Sequence, residues 1–295
     1  MSAAEYIGRF APSPTGPLHL GSLVAAVGSW LDARAHGGTW LVRIDDLDPP
    51  REVPGAAEGI LRTLHRFGLE WDAPPVYQSS RSAAYAEVLE QLRACGDAYG
   101  CACSRRDLVE ATVYPGTCRG RAVEPRAWRF FVGTGTVGWQ DRFAGPQHFD
   151  RCLELGDFVI KRADGWWAYH LAAVVDDAAT GVTDVVRGAD LLPSTACHIA
   201  LQERLGLRIP RYGHLPVVRN AAGEKLSKQT LAPPVDARPV GEVLREVFQH
   251  LGLPPSTVSE PQAALEEALG AWKRQLQGSR DGGHFDAFAP GTVTA

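Results

Sequence analysis

Three groups of residues in this chain could do chemistry, and the first lies near its start. Between Arg9 and Ser22 stand Pro12, Ser13, Pro14, Thr15, Gly16 and Pro17, followed by His19, Leu20, Gly21 and Ser22. Prolines fix φ and stiffen a turn, while Gly16 and Gly21 let backbone come close to a ligand. A helix opening at Leu20 would offer unpaired amides and the positive end of its dipole to a phosphate, with His19 placed to donate a hydrogen bond to charge developing there. Pro12, Thr15, Gly16, His19, Gly21 and Ser22 are thus candidate nucleotide ligands. The second group is Lys225, Leu226, Ser227 and Lys228 beside Gly223, two ammonium groups on a short loop suited to a polyphosphate and able to move as a lid. The third is Cys101, Cys103, Tyr114 and Cys118. Three thiolates are a soft ligand set for Zn²⁺, but Cys-x-Cys spacing is uncommon and tyrosine is a rare ligand. From chemistry alone, a zinc site and three unrelated thiols are equal readings.

The elements that must position these groups follow from periodicity. Tyr6 to Ala11 reads as a strand, Leu20 to Ala35 as a helix and Thr39 to Asp45 as a second strand, a β-α-β unit with a right-handed crossover whose ligand sits at the strand ends. Helices are expected over 56–67 and 83–95, the second presenting Tyr85, Val88, Leu89, Leu92 and Cys95 on one core face. From Cys101 to Gly156 the pattern becomes irregular and rich in Gly, Pro and Arg, as an insertion with its own small fold would be, with a strand over 128–132. Strand character returns at 158–161, 166–170 and 182–186. Ser194 is placed to cap a helix ending at Leu205 before Gly206. Two amphipathic helices, over 240–251 and 261–276, precede a frayed tail. Cys95, Cys152 and Cys197 sit in apolar contexts and read as buried core thiols.

Composition narrows the class. The chain has 295 residues, 45% hydrophobic and 22% charged, enough for a large core and two structural units. No secretory leader or apolar run of membrane-spanning length is legible, and six cysteines in so long a chain do not suggest a disulfide framework. A cytoplasmic, monomeric protein without a membrane partner is the expectation. The net charge of −4 gives no global sign of a polyanionic partner, but Arg105, Arg106, Arg119, Arg121, Arg126 and Arg129 cluster along the chain, as do Arg204, Arg208, Arg211, Arg219, Lys225 and Lys228. Such runs usually form a solvated face; they also suit backbone phosphates.

The two loops, in this order and with the Arg9-to-Gly16 wording, resemble the paired motifs of class I aminoacyl-tRNA synthetases, and specifically their glutamyl branch. The resemblance covers residues 5–230. It implies an α/β fold, a Rossmann-like catalytic core with an inserted zinc-containing subdomain and a short helical C-terminal region. The divisions are 1–100 and 157–235 for the core, 101–156 for the insertion and 236–295 for the C-terminal helices. It implies that Arg9, Ala11, Ser13, Asp45, Tyr169 and Arg187 hold L-glutamate, with the two arginines reading the carboxylates and Asp45 meeting the ammonium. Asp45 stands where the family usually has Glu. His19, Lys225 and Lys228 would serve ATP chemistry with Mg²⁺. The substrate carboxylate attacks the α-phosphorus and pyrophosphate leaves, a reaction that needs positioning and charge stabilisation rather than a protein nucleophile.

The Cys-x-Cys, Tyr-x-x-x-Cys pattern is similar to the zinc site of the glutamyl-Q tRNA(Asp) synthetases, the short paralogues of glutamyl-tRNA synthetase. Only 67 residues follow Lys228, too few for a large helical anticodon-binding region, which also suits the short branch. The activity this implies is tRNA-independent formation of glutamyl-adenylate, then transfer of glutamate to the cyclopentenediol of queuosine at the wobble position of tRNA(Asp). Other readings are a truncated glutamyl-tRNA synthetase charging a 3′ end, a nucleotidyltransferase acting on a small acid, and a zinc-containing RNA-binding module without catalysis. Dependence on queuosine and glutamate-dependent pyrophosphate exchange separate them.

Overall fold

In the computed structural model, residues 5–104, 106–109, 111–218 and 233–280 are described; the predicted ATP loop with Lys225 and Lys228 lies outside them. The chain runs through β1 (Ile7–Phe10), α1 (Leu20–Ala35), β2 (Thr39–Ile44), α2 (Ala56–Arg66), β3 (Val76–Tyr77) and α3 (Ser82–Ala94). Next come β4 (Ala98–Cys101), β5 (Ala127–Phe130), β6 (Thr136–Asp141), β7 (Gly145–Asp150) and β8 (Val159–Lys161). The order closes with α4 (Tyr169–Ala179), β9 (Asp184–Gly188), α5 (Leu192–Leu205), β10 (Arg211–Leu215), α6 (Val240–His250) and α7 (Pro261–Arg280).

Parallel pairing organises the site. β1 pairs with β2 from Ile7 opposite Thr39 to Phe10 opposite Val42, and β2 pairs with β3. β9 pairs in parallel with β10. The Thr183 amide donates to the Ile7 carbonyl at 2.9 Å, bringing the start of β9 alongside β1. The C-terminal ends of β1 and β9 consequently open on the same side, where ligands bind in open α/β sheets. β1, β2 and β9 are mostly buried, as strands covered on both faces must be, and each carries one arginine.

Two hydrophobic cores hold this arrangement. One packs α1, α2, α6 and α7 with β1 and β2, and includes the fully buried Trp40 and Trp272. The other packs α3, α4 and α5 with β5, β8 and β9. Gly28 lets α1 close on its neighbours: a Cβ there would stand 2.6 Å from Leu215 Cδ1. Buried Asp32 on α1 accepts from Tyr6, from Arg142 in the β6–β7 turn and from Trp272 on α7, tying the hairpin and the C-terminal helix to the sheet.

The β4-β5-β8 sheet is antiparallel, and so is the β6–β7 hairpin. β4 and both hairpin strands escape the sequence reading. Three further expectations are corrected. Residues 166–170 are not a strand: Trp167 makes one bridge to Lys161, and Tyr169 already begins α4. α5 starts two residues before Ser194, with Leu191 at the cap position and Pro193 in the first turn, so Ser194 caps nothing. Its stop at Gly206, with φ of 64°, is as expected. Cys197 is buried, but Cys95 and Cys152 are exposed: Cys95 follows the last residue of α3 and Cys152 lies just past the end of β7, outside the packed faces.

Candidate active site

A cavity of about 320 Å³ opens where β1 and β9 end. Its first wall is the loop from β1 into α1. Backbone that leaves β1 at Phe10 turns through Pro12 and Pro14, and Gly16 has φ of 128°, a left-handed conformation that favours glycine. Arg9, Ala11, Pro12, Ser13, Thr15, His19, Gly21 and Ser22 all line the cavity; Gly16 does not. His19 is the N-cap of α1: its Nδ1 accepts from the Ser22 amide at 3.3 Å, and Nε2 lies 3.0 Å from Ser22 Oγ. An accepting Nδ1 leaves the ring proton on Nε2.

The opposite wall comes from the end of β9 and the first turn of α4. Arg187 and Tyr169 line the cavity together with Gly188 and Asp190. Arg187 is 4% exposed and donates to Tyr169 Oη at 2.9 Å, Thr195 Oγ1 at 2.6 Å, the Leu191 carbonyl at 3.4 Å and His214 Nε2 at 3.4 Å. None of these partners is a carboxylate. Behind them, His214 Nδ1 meets Asp141 Oδ2 at 2.5 Å.

Arg9 is held quite differently. It donates to Asp177 on α4 from Nε at 3.2 Å, and Asp177 also accepts from Arg43 at 2.5 Å. Arg43 in turn donates to Asp45 at 2.6 Å. All four are buried, forming a ladder of two guanidiniums and two carboxylates. Burial by itself would raise the Asp177 carboxyl, but Arg9 and Arg43 outweigh it and hold Asp177 below the usual carboxylate value. Asp45 goes the other way, with burial outweighing the pull of Arg43 and raising it. Asp45 does not line the cavity; its carboxylate is turned to Arg43. Sequence reasoning missed Asp177, Arg43, Thr195 and His214. The one available signal was Asp176 and Asp177, two acids closing the apolar run Leu171 to Val175.

The thiols converge as well. Cys101, Cys103 and Cys118 place their sulfurs within 4.8 Å of one another. Tyr114 Oη lies 3.4 Å from Cys101 Sγ and 3.8 Å from Cys103 Sγ, and the Cys103 and Cys118 sulfurs are 3.5 Å apart. A tetrahedral zinc with ordinary Zn–S and Zn–O bonds would give edges of about 3.5–3.8 Å, so this donor set fits that ion. Tyr99 and Arg119 both bond buried Asp157, and Arg129 stacks over the Tyr114 ring at 3.7 Å, anchoring the cluster to β4 and β5.

Among the described residues, no helix is long and apolar enough to cross a membrane.

Comparison with known proteins agrees with this geometry. A family model described as tRNA synthetases class I (E and Q), catalytic domain, matches residues 7–113 and 121–248. A glutamyl-Q tRNA(Asp) synthetase of Aromatoleum aromaticum is 52% identical over 316 aligned positions, covering 100% of this chain and 96% of the relative. One from Chromobacterium violaceum is 53% identical, covering 92% and 95%. A crystal structure of a glutamate tRNA ligase from Elizabethkingia meningosepticum, in complex with its amino acid, superposes with a TM-score of 0.75 at 25% identity, over 94% of this chain and 69% of that one. The chain therefore belongs to the class I tRNA synthetase family of the glutamyl and glutaminyl type, on the branch that holds these glutamyl-Q relatives.

Proposed function

We propose that this protein activates L-glutamate with ATP to form glutamyl-adenylate without help from tRNA, and then transfers the glutamate to queuosine at the wobble position of tRNA(Asp). The observation that carries the reading is one cavity lined both by two arginines and a tyrosine and by the amide-rich N-terminus of α1. Arg9, Arg187 and Tyr169 take the amino acid, with Ala11 and Ser13 along its length. Pro12, Thr15, His19, Gly21 and Ser22 take the nucleotide, whose Mg²⁺ neutralises part of the triphosphate. Gly16 contributes the shape of the turn, and the ammonium groups of Lys225 and Lys228, which lie outside the described residues, serve the phosphates. The acceptor class rests on the relatives, whose names specify tRNA(Asp).

Cys101, Cys103, Tyr114 and Cys118 would hold one Zn²⁺ with no open coordination position, a structural ion that stiffens an insertion over 101–156 facing the RNA. Asp45 acts on the glutamate site at one remove, holding the Arg43 that shares Asp177 with Arg9. The protein is read as a cytoplasmic monomer, a compartment that suits its six free thiols.

Glutamate-dependent exchange of pyrophosphate into ATP, measured with no tRNA present, tests the activation step. Exchange with glutamate and little with aspartate or glutamine is expected. A requirement for tRNA, or preference for another amino acid, would contradict the proposal.

A further inference from the structure

The wall that holds Arg187 is built from groups the adenylation chemistry does not itself require. His214 on β10 is fully buried, and both ring nitrogens are engaged. Nδ1 faces the Asp141 carboxylate at 2.5 Å, and the His214 amide donates to the other oxygen of the same carboxylate at 2.9 Å. Nε2 faces Thr195 Oγ1 at 2.9 Å and Arg187 Nε at 3.4 Å. Asp141 itself is fixed by the Phe143 and Ala144 amides and by Trp139.

Proton accounting makes this arrangement directional. An ionised carboxylate can only accept, so the proton on the imidazole must sit on Nδ1. Nε2 is then an acceptor, which is what a neighbouring guanidinium requires. Thr195 Oγ1 has two acceptors within reach of its one proton, Nε2 at 2.9 Å and the Leu191 carbonyl at 3.2 Å; with Nδ1 protonated it gives that proton to the nearer Nε2 and turns a lone pair to Arg187 Nη2, 2.6 Å away. The opposite tautomer would aim an N–H at the Arg187 Nε–H and leave Thr195 without its acceptor on the ring. Among the described residues Arg187 has no carboxylate partner, so its orientation depends on these neutral acceptors.

We infer that Asp141, His214 and Thr195 form a positioning relay that fixes the imidazole tautomer and so aims the Arg187 guanidinium at the substrate carboxylate. The relay rests on the reading of Arg187 as a glutamate ligand. It explains why the β6–β7 hairpin, remote from the cavity in sequence, is pinned to the sheet: Asp141 at the end of β6 reaches Arg187 through two hydrogen bonds. Because the relay acts only through Arg187, it bears on glutamate and not on ATP.

Two variants test it. In Asp141→Asn the amide keeps the shape but presents an N–H₂ to the ring, releasing the tautomer. In Thr195→Val the volume stays and the hydroxyl goes. Each should raise KM for glutamate in tRNA-free pyrophosphate exchange by about tenfold, with kcat and KM for ATP nearly unchanged; Thr195→Ser should restore the KM. Nitrogen chemical shifts of His214 should report the Nδ1–H tautomer in the unmodified protein and its loss in Asp141→Asn. Exchange that proceeds with unchanged glutamate KM in both variants, or an Nε2–H tautomer in the unmodified protein, overturns the relay. An unmodified protein that shows no glutamate-dependent exchange overturns the reading of the cavity and the relay with it.

Discussion

Two arginines face one cavity from opposite walls, and they are stabilised by opposite means. Arg9 sits in an ionic ladder with Asp177, Arg43 and Asp45, in which formal charges cancel. Arg187 is held by a phenol, a hydroxyl, a carbonyl and an imidazole, and among the described residues no direct partner compensates its positive charge. Desolvating an ion is costly unless it is paired, so the ladder serves mainly to keep Arg9 in place. The uncompensated guanidinium gains most from an incoming carboxylate. The same residue type thus has a structural emphasis on one wall and a recognition emphasis on the other.

The sharpest way to break this contrast is to remove the acid shared by the ladder. Asp177→Asn leaves two buried guanidiniums with only Asp45, and should lower unfolding free energy by about 3–5 kcal/mol, read from denaturant titration. Thr195→Val on the other wall should cost no more than about 1–2 kcal/mol. Equal losses would erase the distinction. Next in size is Arg187→Ala, which deletes a charge-assisted contact and should weaken glutamate binding by roughly 1.5–3 kcal/mol, visible as a raised KM in exchange.

Acid should separate the walls as well. Burial holds His198, whose ring lies tilted against Tyr169 at 5.2 Å, and His214 below the ordinary histidine value. The unfolded chain then binds protons that the folded one does not once pH falls below about 6.5, and stability declines by at most about 1.4 kcal/mol per pH unit for each imidazole. Asp177, held low, contributes stability that is present above about pH 3.9 and lost as pH falls through its lower folded value. The Arg187 wall should therefore loosen first. His198→Gln should lessen the slope of stability between pH 7 and 5, leaving the part carried by His170 and His214 and the steeper loss in stronger acid, and an unchanged slope would count against this assignment. The smallest effect on the cavity is expected from chelation. A chelator that strips the zinc proposed for the thiol cluster should lower thermal stability yet leave the glutamate KM of the surviving folded protein within about twofold, since a closed structural site supports a fold rather than a reaction.

The wall built by local sequence was the legible one. Proline, glycine and the helix start fix the β1–α1 loop within fifteen residues, and α1 runs from Leu20 to Ala35 as its periodicity indicates. Arg187 and Tyr169 were found only through resemblance, and their supporting residues were not found at all. Thr195 and His214 come from α5 and β10, and Asp141 from a hairpin whose alternation of Val137, Trp139 and Asp141 was hidden among glycines and polar residues. A pairing across 73 positions, such as His214 with Asp141, leaves no periodic trace. The run from Trp166 to His170 was misread because aromatic residues favour strands locally, whereas tertiary packing starts a helix at Tyr169. Asp45 was assigned by position in a motif, and only the fold reveals that Arg43, two residues away, takes its carboxylate.

The central claim concerns where the activated glutamate goes. Labelled glutamate offered with ATP to queuosine-containing tRNA(Asp) should become attached to that RNA, and the label should survive removal of the 3′-terminal adenosine. A tRNA(Asp) carrying guanosine at the wobble position should stay unlabelled; label that leaves with the terminal adenosine, or equal labelling of the two RNAs, would contradict transfer to queuosine.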